Sequence, residues 1–156
     1  MKPGTFTQIY IQLVLSPKHR DRLLLEHLRP RIFEYISGIA TNIGHKSIII
    51  NGVSDHVHLF LGLNTKIAVS ETVKELKRSS SIFMNEQRFF PGRFEWQEGY
   101  GGFSYGRSQI ESVYEYIRNQ EKHHQKRTFK EEYLEFLKKY EIEFEDQYLF
   151  EFFDLK

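Results

Sequence analysis

Apolar, aromatic and β-branched residues dominate from Phe6 to Ser16, and Ser16-Pro17 closes the run, so the segment predicts a first strand. Ile32, Ile36, Ile39 and Ile43 then recur at helical spacing, with Pro30 near the entry and Gly44 as a stop. Lys46 to Gly52 and His56 to Gly62 read as two strands joined by a short turn at Ser54-Asp55, hence a hairpin. A second helix begins near Ser70, a candidate N-cap, and places Val69, Val73, Leu76 and Phe83 on one side. After Pro91-Gly92, Phe94 to Gln97 predicts a short strand. A third helix spans about Ser108 to His124, with Ile110, Val113, Tyr114 and Ile117 as its buried stripe.

The order β-α-β-β-α-β followed by helices is the ferredoxin-like split βαβ plan. It predicts an α+β fold whose sheet is antiparallel, with two crossover helices on one face and the other face free. A chain of 156 residues with 40% hydrophobic residues suits one domain, residues 1–156, the last segment from about 130 being a helix and an acidic, aromatic tail. No stretch is apolar enough to span a membrane, and the N-terminus leads straight into a strand without signal-peptide character. Cysteine is absent, which excludes disulfides and thiolate metal sites and makes a reducing cytoplasm the expected location.

Net charge is only +1, but its distribution is uneven. Residues 1–130 hold 19 Lys+Arg against 12 Asp+Glu, and residues 131–156 hold 3 against 9. A basic body points to a polyanionic partner. Lys18 and Arg20 lie in a connector after the first strand, and Lys74, Lys77 and Arg78 lie on the second helix. These are candidate phosphate contacts, or simply a solvated loop and a wet helix face. The large apolar residues of the tail, Phe144, Tyr148, Leu149, Phe150, Phe152 and Phe153, need a surface to cover, one candidate being a second subunit.

Two stretches carry chemistry. In an extended Asp55-His56-Val57-His58-Leu59-Phe60-Leu61, the two imidazoles share one face while Val57, Leu59 and Leu61 point to the other. Imidazole is a common ligand for divalent metals, so the pair is half of a candidate metal site; the alternative is two polar residues on an open sheet face. Asp55 either partners His56 or, as its position suggests, caps the turn. On the third helix, Tyr116 and Gln120 stack at i, i+4 beside the buried stripe, where both could face the sheet; a tyrosine at an interface edge is the plainer reading. Between these stretches, residues 99–106 hold four glycines, a flexible joint or a place of close backbone approach, with Tyr100, Phe103 and Tyr105 available for core or base stacking.

Together the stretches resemble a known family. His56-Val57-His58 is similar to the His-hydrophobic-His motif of HUH endonucleases, and Tyr116-Ile117-Arg118-Asn119-Gln120 to the Tyr-Ile-x-Asn-Gln motif of single-tyrosine, TnpA-like transposases. Ser16-Pro17-Lys18-His19-Arg20 resembles the Pro-Lys-basic segment after their first strand. The resemblance implies an enzyme that cuts and rejoins single-stranded DNA, often a hairpin near an element's end, through a 5′-phosphotyrosine. It implies Tyr116 as nucleophile, and His56, His58 and Gln120 as ligands of one magnesium or manganese ion (Mg²⁺ or Mn²⁺). It also implies a homodimer in which the tyrosine helix of one subunit reaches the histidines of the other. Competing readings are a non-catalytic binder of single-stranded nucleic acid, a metal-dependent phosphoesterase, and a related tyrosine nuclease acting on genomic repeats.

Overall fold

The computed structural model describes residues 4–153, apart from the side chain of Arg20. Strands β1 (Tyr10–Leu15), β2 (Lys46–Val53), β3 (His56–Gly62) and β4 (Gly101–Tyr105) form one sheet in the order β2-β3-β1-β4, every neighbouring pair antiparallel. Helices α1 (Arg29–Asn42) and α2 (Val69–Glu86) cross over one face, and α3 (Ile110–Arg118), α4 (Gln120–His124) and α5 (Phe129–Lys139) follow β4. This is the α+β split βαβ plan. Among the described residues, no helix is long and apolar enough to cross a membrane.

Strand alternation decides which residues meet which layer. Leu13 and Leu15 of β1 and Val57, Leu59 and Leu61 of β3 pack against Ile32, Ile36 and Ile39 of α1 and Val73, Leu76 and Met84 of α2. The intervening Val14, His56, His58 and Phe60 face the other way.

Four expectations need correction. The last strand of the sheet is Gly101–Tyr105, not Phe94 to Gln97, which makes only a single bridge between Trp96 and Pro17. Phe94 and Trp96 instead sink into the helix-side core, and the indole Nε1 donates to Ser80 Oγ at 2.9 Å. Gly101 suits the strand because α5 lies against its backbone: a Cβ there would come within 2.9 Å of the Tyr133 ring.

The second sheet face is not free. Val14 and Phe103 meet Phe129, Tyr133 and Leu137 of α5 and Phe150 of the tail, while Phe60 meets Val113 and Ile117 of α3. The tail therefore covers its own chain. Gln97 fixes it there, donating from Nε2 to the Glu151 carbonyl at 2.8 Å and accepting from the Glu151 amide at 2.6 Å.

The third helix is broken. Asn119 turns out of helical geometry (φ −98°, ψ 26°), and Asn51 of β2 donates to the Ile117 and Arg118 carbonyls that end α3, both at 3.0 Å. With α3 anchored through Val113 and Ile117, Tyr114 falls on the outer side and is 37% exposed instead of core. Of the three aromatics near the glycines, Phe103 is core, Tyr105 half-buried and Tyr100 exposed.

Candidate active site

His56 and His58 project together from β3 as the alternation predicts, but onto a roofed face where both are fully buried. Each ring is held at both nitrogens. His56 Nδ1 donates to Asp55 Oδ1 at 2.8 Å, and His58 Nδ1 accepts from Gln12 Nε2 at 2.7 Å. Asp55 thus orients an imidazole, where its position suggested a turn cap. Gln12 in turn accepts from the Tyr105 hydroxyl at 2.7 Å, and the Phe129 ring stacks on His56 with centroids 4.0 Å apart.

The Nε2 atoms of the two histidines converge on a residue the sequence reading missed. Glu132 Oε1 lies 3.1 Å from His56 Nε2 and 3.0 Å from His58 Nε2. Thr128 starts α5 with a reciprocal capping box to Glu131, and Glu132 then falls on the inward stripe beside Phe129, Tyr133 and Leu137. A carboxylate inside an apolar helical stripe was the available signal, since such a group is buried only when it is paired. The ligand atoms of His56, His58 and Glu132 all lie within 4.8 Å of one another. Two imidazoles and a carboxylate suit a first-row divalent ion or magnesium, so these residues fit a metal.

Charge in the cluster is tightly shared. Burial works to lower the His56 imidazole, but hydrogen bonding to Asp55 and Glu132 outweighs it and raises it to about 9. Burial keeps His58 below its ordinary value despite the facing carboxylate. For Glu132, burial acts upward, yet the surrounding His58, His124 and His56 hold the carboxyl well below the usual range.

Tyr116 and Gln120 reach this cluster from either side of the Asn119 break. Gln120 is fully buried, its Oε1 accepting from His56 Nε2 at 3.1 Å and its Nε2 donating to Glu132 Oε2 at 3.3 Å. The Tyr116 hydroxyl donates to Glu132 and accepts from Arg127 Nη2 at 2.8 Å, and its ring lies 6.1 Å from that of His58. Burial and the Glu132 charge push the phenol well above its ordinary value, with Arg127 acting in the other direction. Histidines and tyrosine thus meet within one chain.

The candidate phosphate contacts are more scattered. Lys18 lies 3.9 Å from Glu95, Lys74 is exposed on α2, and Arg78 pairs with Glu75 at 2.9 Å. Lys77 Nζ is engaged by the carbonyls of Gln97 at 2.8 Å and Gly99 at 2.6 Å. The Arg20 side chain lies outside the described residues. The three α2 residues belong to the helix that packs on the opposite sheet face from the histidines.

Comparison with known proteins agrees with this fold. No curated protein matches the chain. Among solved structures, a candidate transposase of Deinococcus radiodurans R1 shares the fold with a TM-score of 0.60 at 22% identity, over 77% of this chain and 96% of that one. A REP-associated tyrosine transposase, solved bound to a REP hairpin, shares it with a TM-score of 0.58 at 12% identity, over 80% of this chain and 74% of that one. Residues 5–120, from β1 through Gln120, match the family model of IS200-like transposases, and the chain belongs to that family.

Proposed function

We propose that this protein cuts single-stranded DNA by attack of the Tyr116 hydroxyl on a phosphodiester, leaving a 5′-phosphotyrosine and a free 3′-hydroxyl. The observation that carries this reading is that one buried carboxylate, Glu132, joins the histidine pair to the tyrosine hydroxyl. His56, His58 and Glu132 would hold one Mg²⁺ or Mn²⁺, with the Gln120 amide beside them as a further oxygen donor. When bound, the ion supplies charge withdrawal from the scissile phosphate. Asp55 and Gln12 fix the rings so that both Nε2 atoms face the same point. Because the tyrosyl diester conserves the bond, a 3′-hydroxyl from another strand can reverse the attack and reseal without ATP.

The basic body and the family favour DNA over small phosphoesters, and hairpin-containing element ends are the proposed substrate. Lys18, Arg20 and the exposed Lys74 are proposed outer contacts. As a member of a DNA transposase family, it is proposed to act in the cytoplasm. A non-catalytic binder would not need a tyrosine hydroxyl in contact with a carboxylate that two histidines share.

The test is a denaturing-gel assay for a covalent protein–DNA adduct, with Mn²⁺ or Mg²⁺ and single-stranded hairpin oligonucleotides from the gene's flanks. Wild type is expected to form the adduct only with metal, and Tyr116→Phe to form none. An adduct that persists in Tyr116→Phe removes the tyrosine from the role.

The same assay addresses subunit sharing. Mixing Tyr116→Phe with a His56→Ala, His58→Ala double variant is expected to give no adduct, because all the groups meet within one chain. Restored adduct in the mixture would show that subunits exchange the tyrosine helix.

A further inference from the structure

The cutting reaction proposed above places a second negative charge next to Tyr116. The incoming phosphodiester is an anion, and its non-bridging oxygens gain charge as the Oη–P bond forms. Glu132, on the hydroxyl's donor side, repels that anion. On the acceptor side stands Arg127, whose Nη2 is 2.8 Å from Oη. Arg127 follows Gln120 in the chain and so lies beyond the segment that matches the family.

The side chain is built into place. The Arg127 amide donates to the His123 carbonyl at 3.1 Å, its own carbonyl accepts from His124 Nδ1 at 3.0 Å, and Thr128 immediately afterwards caps α5. The Arg127 side chain is 26% exposed, so it reaches both the half-buried Tyr116 hydroxyl and solvent. It lines two cavities. One, of about 480 Å³, is bordered by Gln12, Tyr105, Ser112 and Tyr116; the other, of about 720 Å³, by Arg29, Asp55, His124 and Lys130. Arg127 thus borders both the cavity that Tyr116 lines and its neighbour.

The two halves of the fork have different partners. Nη2 holds the tyrosine, whereas Nη1 pairs with Glu135, whose side chain is 65% exposed. An exposed ion pair is worth about 0–1 kcal/mol, so a phosphate oxygen can displace Glu135 at little cost. A planar guanidinium with two parallel N–H groups matches phosphate geometry in a way an ammonium does not.

We propose that Arg127 is a catalytic residue that exchanges Glu135 for a non-bridging oxygen of the scissile phosphate, holding the phosphorus against Tyr116 Oη and stabilising the charge that develops there. In the step, the Oη–P bond forms as the P–O3′ bond breaks. The phenol proton is released and the departing O3′ takes one from water, so a 3′-hydroxyl and a tyrosyl diester remain with no net change in charge. The proposal rests on the tyrosine reading above.

The test is the rate of adduct formation on a hairpin oligonucleotide with Mn²⁺. Removing one preorganised donor to developing charge costs about 10²–10³-fold in rate, and Arg127→Ala is expected to lose this much. Arg127→Lys, which keeps charge without the fork, is expected to fall between, and Glu135→Gln to keep the wild-type rate or exceed it. Free guanidinium at millimolar concentration is expected to restore part of the Arg127→Ala rate and none of the Tyr116→Phe rate, a response that lost packing would not give. A wild-type rate in Arg127→Ala, absence of guanidinium rescue, or an equal loss in Glu135→Gln would overturn the assignment while leaving the tyrosine reading intact. No adduct from wild type itself would overturn both.

Discussion

Glu132→Ala is expected to lower the stability of the protein by about 3–5 kcal/mol at neutral pH without added metal, the usual cost of removing one member of a buried charged network. For a chain of this size that is a fall in Tm of roughly 6–20 °C. Glu132 is fully buried and is the shared acceptor for His56, His58, Tyr116 and Gln120, so its loss strands several donors at once. A second consequence separates a metal ligand from a purely structural carboxylate. An ion that binds only the folded state raises Tm in proportion to the logarithm of its concentration over Kd. Wild type is expected to gain stability with Mn²⁺, and Glu132→Ala to gain far less at the same concentration. Thermal melts across a Mn²⁺ titration measure both effects. A variant melting within a degree of wild type would mean that Glu132 does not organise the cluster, and an equal Mn²⁺ response would remove it from the ligand set.

The same residue shows where the sequence was legible and where it was not. The faces of β3 could be read because side chains alternate with a strict period of two, so Val57, Leu59 and Leu61 fixed the direction of His56 and His58. Tyr116 and Gln120 could be read because a motif with fixed spacing survives even when the helix under it breaks at Asn119. That break, however, is held by Asn51, far away in sequence, and the packing of α3 through Val113 and Ile117 left Tyr114 on the outer side. Glu132 comes from α5, beyond the segment that matches the family, and only the packing of that helix on the sheet brings it to the histidines. β4 was misplaced because its glycines lack β propensity, and the closeness of Tyr133 to Gly101 is a tertiary requirement. Asp55 looked like a turn residue because a turn is what its neighbours form, and its carboxylate was free to turn inward.

Gly52→Ala is expected to be the most damaging single-methyl substitution at the site, although Gly52 touches neither the tyrosine nor a ligand atom. Gly52 pairs with Val57 across the β2–β3 hairpin, and a Cβ there would lie 2.2 Å from the His56 carbonyl oxygen and 2.9 Å from Val57 Cα. Both neighbours are backbone, so no side chain can swing aside to relieve the overlap. The peptide that carries His56 must move, and with it the ring that Asp55 and Phe129 hold in place. A backbone clash of this kind belongs with the larger destabilising effects, about 2–4 kcal/mol. Disturbing the support of a metal-binding histidine typically weakens affinity by about 10–100-fold, which is the loss expected for Mn²⁺. Gly38→Ala on α1 is the matched control, since a Cβ there meets nothing within 4 Å. It is expected to add about 0.5–1 kcal/mol through helix propensity and to leave Mn²⁺ affinity unchanged. Thermal melts and Mn²⁺ binding isotherms on the two variants decide the matter. If Gly52→Ala kept wild-type stability and affinity, the hairpin would be adaptable there, and the rigidity of β3 as the support for the two histidines would have to be given up.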